Sequence, residues 1–478
     1  MTDPVVDRLT IALAKVSASS LTSPFDAVVV GGGSAGITAA RTLAEAGKHV
    51  ALLEAGPLSL LTHVQSTDLR FDPGLVRSVQ QALSYSPQLS GGGTFGSLIG
   101  CLGGRGLFWN GAAPRFSADD FEGWPISIGE LNNHYEWAEA EFRVTTEYSA
   151  GRLSELLIAR LKSAGLDARL GPYAVDCHQT ASGWLGGTVG NGLAPLLRTT
   201  AVTTSGLISI STRAFARKIL LSGDTASGVE AIDLATGAIL QINARSVVLA
   251  AGAFESTRLA LASGLPTPHN LAGRFISDHN FVRAYYPMNP ADYLANTPEV
   301  SIIWIPADKM RGYQIEIHLP SDNLFLAKEN GPWAPDRGPY YAAMVRSFAP
   351  IQPRADNFIE ALPTDAPGSY RVTISLDADD QALAARQVAA LEETRRALGA
   401  DPAQVQNLPL GASHHESGGL IMGHEPASSV TDLYGRFWST KRLIVCDSAS
   451  WPSTSPANPH LTIVAIARRQ AIQLASEL

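Results

Sequence analysis

Hydrophobic spacing changes character several times along the chain. Residues 25 to 56, FDAVVVGGGSAGITAARTLAEAGKHVALLEAG, open with an unbroken apolar run over Ala27 to Val30, which predicts a strand buried on both faces. Glycines follow at Gly31, Gly33 and Gly36, then small and apolar residues at helical spacing, then a second strand closing at Glu54. Residues 57 to 90 mix polar and aromatic positions irregularly and predict a long excursion. Residues 91 to 116, GGGTFGSLIGCLGGRGLFWNGAAPRF, are too glycine-rich for a helix or strand, while Leu107, Phe108 and Trp109 do not suit a linker. Backbone wrapped closely around a flat ligand fits that composition.

Further on, GRLSELLIARLKSAG (151 to 165) predicts a helix ended by Gly165. From Leu207 to Val248, short alternating segments punctuated by Gly223-Asp224 and Thr236-Gly237 predict a β-meander. It ends in a buried strand, Ser246 to Leu249, and a small-residue turn into the helix of AAGAFESTRLALASGL. Between 281 and 412 the alternation of VSIIWI, YQIEIHL, YYAAMVRSF and YRVTISLD predicts a large antiparallel sheet, interrupted by a helix at 380 to 398. A strand, a Pro/Ser/Asn loop and a final helix complete the chain. The first twenty residues predict a short amphipathic helix, since Asp3, Asp7, Arg8 and Lys15 break up any signal-peptide core.

Composition narrows the class. A chain of 478 residues, 45% hydrophobic and 17% charged, exceeds one core and suits two or three domains. Three cysteines, an odd count without a CxxC pair, exclude a disulfide framework and a cysteine-rich zinc site, and the remaining histidines have no metal-ligand spacing. No stretch approaches the ~18 uninterrupted apolar residues of a membrane span. A net charge of −8 without Lys/Arg clusters argues against nucleic acid or an anionic membrane as partner. A cytoplasmic α/β enzyme is the expectation.

The candidate chemistry starts at the first glycines. Gly31 permits a tight turn, Gly33 lets a pyrophosphate approach the backbone, and Gly36 lets helix and strand pack closely. Ser34 and Ala35 open the helix, whose N–H groups and positive dipole end favour phosphate. Glu54, 18 positions after Gly36, is placed to accept from ribose hydroxyls. No GxSxG elbow supports Ser-His-Asp hydrolysis.

Four blocks then resemble the glucose–methanol–choline (GMC) flavin oxidoreductases in the right order: GGGSAG with Glu54; CLGGRGLFWNG; GAFESTRLALASGL; and the C-terminal set. That set is His415-x-x-Gly418-x-x-x-Met422-Gly423, Val430-x-Asp432-x-x-Gly435-Arg436, Leu443-Ile-Val-Cys-Asp447 and Asn458-Pro459-His460-x-Thr462. Gly419 stands where Thr is usual, and Thr257 and Pro266 also depart from the family pattern. The resemblance implies an α/β fold: a Rossmann-like FAD-binding domain (1–57, 88–120, 190–280, 425–478) with an inserted substrate domain on an antiparallel sheet (58–87, 121–189, 281–424). It implies FAD contacts at Gly104, Trp109, Asn110, Gly111, Ala251, Asp447, His460, Leu461 and Thr462, with a strand-end turn carboxylate as the alternative for Asp447. The block around Trp109 looks most like the pyranose 2-oxidase and C-glycoside oxidase branch. Phe108 stands where many members carry a flavin-linked histidine, so non-covalent FAD is expected.

In that setting His415 is the expected general base, a neutral imidazole suiting the task near neutral pH. The spacing to Gly418 and Met422 selects it over His414, and in extended backbone the two could not both face the flavin. Either Asn458 or His460 is the second polar partner, with Asn458 favoured. Asp278-His279 is read as structural. The expected activity is oxidation of an alcohol, a secondary hydroxyl of a sugar or glycoside, with O2 or a quinone reoxidising the flavin. The alternatives are a non-redox lyase of the same fold or a primary or aryl alcohol dehydrogenase.

Overall fold

The computed structural model describes residues 24–67, 69, 73–85, 88–90, 98–180, 183–197, 206–288, 301–319 and 342–478. The expected N-terminal helix and Gly91–Ser97 lie outside them. In chain order the main elements are β1 (Phe25–Val30), α1 (Ser34–Glu45), β2 (Val50–Glu54), α2 (Pro73–Leu83), α3 (Ile128–Phe142) and α4 (Arg152–Ser163). Next come β3 (Ile208–Thr212), β4 (Ala214–Ser222), β5 (Thr225–Asp233), β6 (Ile239–Leu249) and α5 (Ala253–Ala262). Then follow β7 (His279–Pro287), β8 (Ser301–Ile305), β9 (Gln314–Leu319), β10 (Ala342–Pro350), α6 (Ala378–Leu398), β11 (Leu443–Val445) and α7 (His460–Glu477).

The first sheet runs β3-β2-β1-β6-β5-β4, with β11 also paired to β6. β1 lies parallel between β2 and β6, in register Val29↔Leu52 and Val28↔Val247. Ala27 and Val29 pack with Ile37, Ala40 and Leu43 of α1 and with α7, while Val28 and Val30 pack with Leu259 and Ala260 of α5. Helices on both faces explain the unbroken apolar run of β1. The meander expected over 207 to 248 is partly corrected. β4, β5 and the first half of β6 are antiparallel, but β3 leaves them to pair parallel with β2. β6 is long enough to serve both patterns, its second half pairing parallel with β1 and β11.

The irregular reading of 57 to 90 is also corrected. α2 forms there, with Val76 buried and Val79 and Leu83 packed on the same core as α1. In α3, Leu131, Tyr135 and Phe142 pack against Leu461, Val464 and Ala465 of α7. Its start is fixed by a capping box between Ser127 and Glu130.

The second sheet has β7-β10-β9-β8 as its centre, all antiparallel, with short edge strands at 406–407 and 169–170. Its two faces differ in kind. Val282, Ala284, Ile315, Ile317, Ala343 and Val345 pack on α4 and α6. The alternate positions Phe281, Arg283, Gln314, Glu316, His318, Met344, Arg346 and Phe348 turn the other way, as the two-residue period requires. That second face carries the polar groups of the site described next.

Candidate functional site

Two cavities meet at the junction of the sheets. The first is lined by Gly31, Gly33, Ser34, Ala35, Glu54, Gly104, Ala251 and Asp447. A Cβ on Gly36 would collide with the Gly31 carbonyl oxygen, so this glycine is needed for packing, whereas a Cβ on Gly33 would meet nothing within 4 Å. The space over Gly33 is therefore open to a ligand. Ser34 Oγ at the start of α1 is buried without a hydrogen-bond partner. Glu54 is held by its surroundings, accepting from the Gly32 N–H at 2.8 Å and the Gly56 N–H at 2.7 Å. Burial, reinforced by Glu255, pushes its carboxyl up to about 7. Asp447 accepts from Gly252 N–H (2.8 Å), Ser256 Oγ (2.6 Å) and Ala449 N–H (2.9 Å), and burial raises it to about 6. It ties the turn before α5 to the turn after β11.

The second cavity, about 510 Å³, is lined by Phe108, Trp109, Asn110, His414, His415, Asn458 and His460 with the polar face of the second sheet. His460 borders both cavities. Its ring stacks on Trp109 at 3.8 Å, and its Nε2 has no partner. Trp109 is fixed at two points: its indole N–H donates to Gly190 O at 2.6 Å, and His63 Nε2 donates to its carbonyl at 2.7 Å.

His415 is held by Asp278, just before β7, and His279, its first residue. Asp278 Oδ1 accepts from the His415 backbone N–H at 3.2 Å and from Ser413 Oγ. His279 contacts the ring itself, Nδ1 to Nδ1 at 2.8 Å. His279 Nε2 lies 2.6 Å from the carbonyl oxygen of Ser455, which can only accept, so that nitrogen carries the proton. Burial pushes His279 down to about 4, so its ring is neutral and its Nδ1 is a lone pair. The proton in the Nδ1–Nδ1 contact therefore belongs to His415, and His415 Nε2 is left as a lone pair. Burial, then the proximity of His279, His414, Arg105 and Arg346, depresses His415 well below the usual histidine range. His414 is exposed, with left-handed backbone at φ 60°. The local chain is a turn, not the extended segment expected, and both histidines line the cavity.

Asn458 is oriented by a second chain of bonds. The Trp304 indole, a donor only, gives its N–H to Gln314 Oε1 at 2.8 Å. That leaves Gln314 Nε2 to donate to Asn458 Oδ1 at 2.7 Å and to Glu316 Oε1 at 3.1 Å. Asn458 Nδ2 is thus the free end of that side chain, a donor. Burial alone would raise Glu316, but Arg346 and His318 beside it hold it down to about 2.

This geometry places a cavity lined by the glycine turn beside a chamber holding an oriented imidazole and an oriented amide. Two GMC oxidoreductase sequence patterns cover the chain, an N-terminal one over residues 25–281 and a C-terminal one over residues 353–467. The chain belongs to the GMC oxidoreductases. This GMC oxidoreductase is 26% identical to a C-glycoside 3-oxidase from Microbacterium trichothecenolyticum over 95% of this chain and 97% of the relative. It is 25% identical to paromamine 6'-oxidase from Streptomyces fradiae (95% and 92% covered) and to 2-methyl-1,2-propanediol dehydrogenase from Mycolicibacterium austroafricanum (93% and 94%). Its fold matches pyridoxine 4-oxidase from Mesorbium loti with a TM-score of 0.67 at 17% identity, covering 94% of this chain and 98% of that one. The family is flavin-dependent, and the residues of this GMC oxidoreductase suit FAD. The space over Gly33 is open, and Ser34 Oγ at a helix start and His460 Nε2 between the cavities are buried polar atoms that a bound cofactor would satisfy.

Most of the expected FAD-contact residues border one cavity or the other, but four do not. Gly36 packs on β1, and Gly111 backs onto the Tyr173 ring. Leu461 lies in the core, and Thr462 Oγ1 bonds the Tyr135 hydroxyl at 2.8 Å, so both can offer only backbone amides of the first turn of α7. Sequence reasoning set His279 aside as structural and passed over Gln314, Arg283 and Arg346. The signal for the last three was present in the period-two polar positions of YQIEIHL and its partners. No helix among the described residues is long and apolar enough to cross a membrane.

Proposed function

We propose that this protein oxidises a hydroxyl of a sugar, glycoside or related alcohol, with His415 as the base. The observation that carries this reading is the bare Nε2 of His415, in the same cavity as the Asn458 amide donor. FAD, when bound, supplies the acceptor for the carbinol hydride. His415 Nε2 takes the hydroxyl proton, while its Nδ1–H stays bonded to His279 and keeps the ring from rotating. Asn458 Nδ2 donates to the substrate oxygen as its negative charge develops, a contribution of about 2–4 kcal/mol. His460, stacked on Trp109, serves the cofactor side. Gly31, Gly33, Ser34 and Ala35 cradle the pyrophosphate, with Glu54 at the adjoining ribose. Phe108 offers no atom that could bond the flavin, so FAD is held non-covalently. The electron acceptor in this reading would be O2 or a quinone. The substrate class follows the names of the relatives, which act on a glycoside, on paromamine and on a propanediol.

The test is anaerobic mixing of the flavin-loaded protein with free sugars, O- and C-glycosides and small diols. At least one should bleach the flavin absorbance. A protein left oxidised by all of them, yet cleaving a hydroxynitrile, would replace this reading with the lyase alternative.

A further inference from the structure

The cavity around His415 has a charge that alcohol oxidation alone does not need. Arg77, Arg105, Arg283 and Arg346 line it, and no acidic side chain does among the described residues. Two of these arginines are neutralised from behind. Arg105 pairs with Glu416 at 2.6 Å, and Arg346 pairs with Glu316. Arg283 is different. It sits directly opposite Arg346 in the β7–β10 register, an arrangement of like charges that destabilises a sheet unless something neutral or negative lies between them. Its partners are the Gln406 amide oxygen at 3.1 Å and the face of Tyr285, neither of them charged. Arg346 is 7% exposed, and its Nε–H is buried without an acceptor. Of the two facing guanidiniums, only Arg346 has a carboxylate partner among the described residues, and it keeps one donor without an acceptor.

We infer that the substrate alcohol carries a carboxylate, which Arg283 and Arg346 bind while its hydroxyl sits at His415 and Asn458. This rests on the alcohol-oxidation reading above and extends it to a substrate class. Planar guanidiniums match a carboxylate fork, and the leftover Nε–H gains an acceptor. A second consequence supports it. Arg346 is among the cationic groups that depress the basicity of His415, and an anion bound beside Arg346 offsets that field when the base is needed.

The experiment uses the flavin-loaded protein and three aryl glucosides alike except at the para position: a carboxylate, its methyl ester and an aminomethyl group. Anaerobic flavin reduction should favour the carboxylate over the ester by about tenfold or more, with the amine poorest. Arg283→Gln should abolish the preference by raising KM for the carboxylate about tenfold more than KM for the ester. Benzoate and benzamide, titrated against the flavin spectrum, give a readout without turnover. Benzoate should bind about tenfold tighter than benzamide, less so in salt and no tighter in Arg283→Gln. Equal binding of the two, no binding of benzoate, or a preference that survives Arg283→Gln overturns the inference. Equal flavin reduction by acid and ester overturns the carboxylate site and leaves alcohol oxidation standing. Charge-selective benzoate binding with no flavin reduction by any alcohol does the reverse.

Discussion

His279→Phe isolates the step on which the mechanism turns. An aromatic ring is kept, and Phe348 already furnishes an aromatic neighbour, but the acceptor for His415 Nδ1–H is gone. A buried donor left without a partner costs about 1–3 kcal/mol. The loss is also directional, because the tautomer with its proton on Nε2 is no longer disfavoured and cannot accept from an alcohol. We expect about 2–3 kcal/mol in the reductive step, roughly a 30- to 150-fold slower flavin reduction. His279→Gln should recover much of that rate, since one amide end can accept from His415 and the other can donate to Ser455 O. The assay is anaerobic stopped-flow reduction at saturating alcohol, with flavin content measured on the same samples. Flavin content should not change, because His279 borders neither cavity. Reduction by His279→Phe at the parent rate, or a Gln variant no better than Phe, refutes the tautomer argument.

Asn458→Ala should lower the reductive rate across the whole pH range by about 2–4 kcal/mol, whereas His460→Ala should lower flavin retention first, and a reversal would exchange their roles. Acid precipitation should release all the yellow colour, and a flavin-sized adduct remaining on the chain would contradict the reading of Phe108. The pH profile should carry a step near 7 from Asp278, whose carboxyl burial and Glu416 push up to about 7. Above that pH its negative charge beside His415 strengthens the base, so the rate rises through the step, and Asp278→Asn should remove it. Because His415 is depressed, its neutral form persists as pH falls below the usual histidine value, so its own acid limb should appear well below 6.5.

What could be read in the chain was whatever depends on neighbours in sequence. The glycine turn between β1 and α1 is local, and so is the end of α6, where a capping box at Asp377 and a left-handed Gly399 set boundaries within two residues of the expected ones. His415 and Asn458, singled out by the motifs that carry the family resemblance, line one cavity. What could not be read depends on register. His279 is 136 positions from His415, and the pairing of Ser277 with Ser417 brings them together. The same holds for Gln314 and Asn458, 144 positions apart. LISIST shows why β3 was misplaced, since two-residue alternation suits a parallel strand beside β2 as well as a meander. In α2, Val76, Val79 and Leu83 did carry a helical spacing, masked by the polar and aromatic residues on either side.

The most direct test of His415 as the base is anaerobic flavin reduction by one alcohol carrying hydrogen or deuterium on its carbinol carbon, with the parent protein, His415→Ala and His414→Ala. The account predicts bleaching of the parent with a primary isotope effect, and a loss of about 10²–10⁴-fold in His415→Ala at unchanged flavin content. His414→Ala should be much milder. Reduction of His415→Ala at close to the parent rate, or a larger loss in His414→Ala than in His415→Ala, would contradict it.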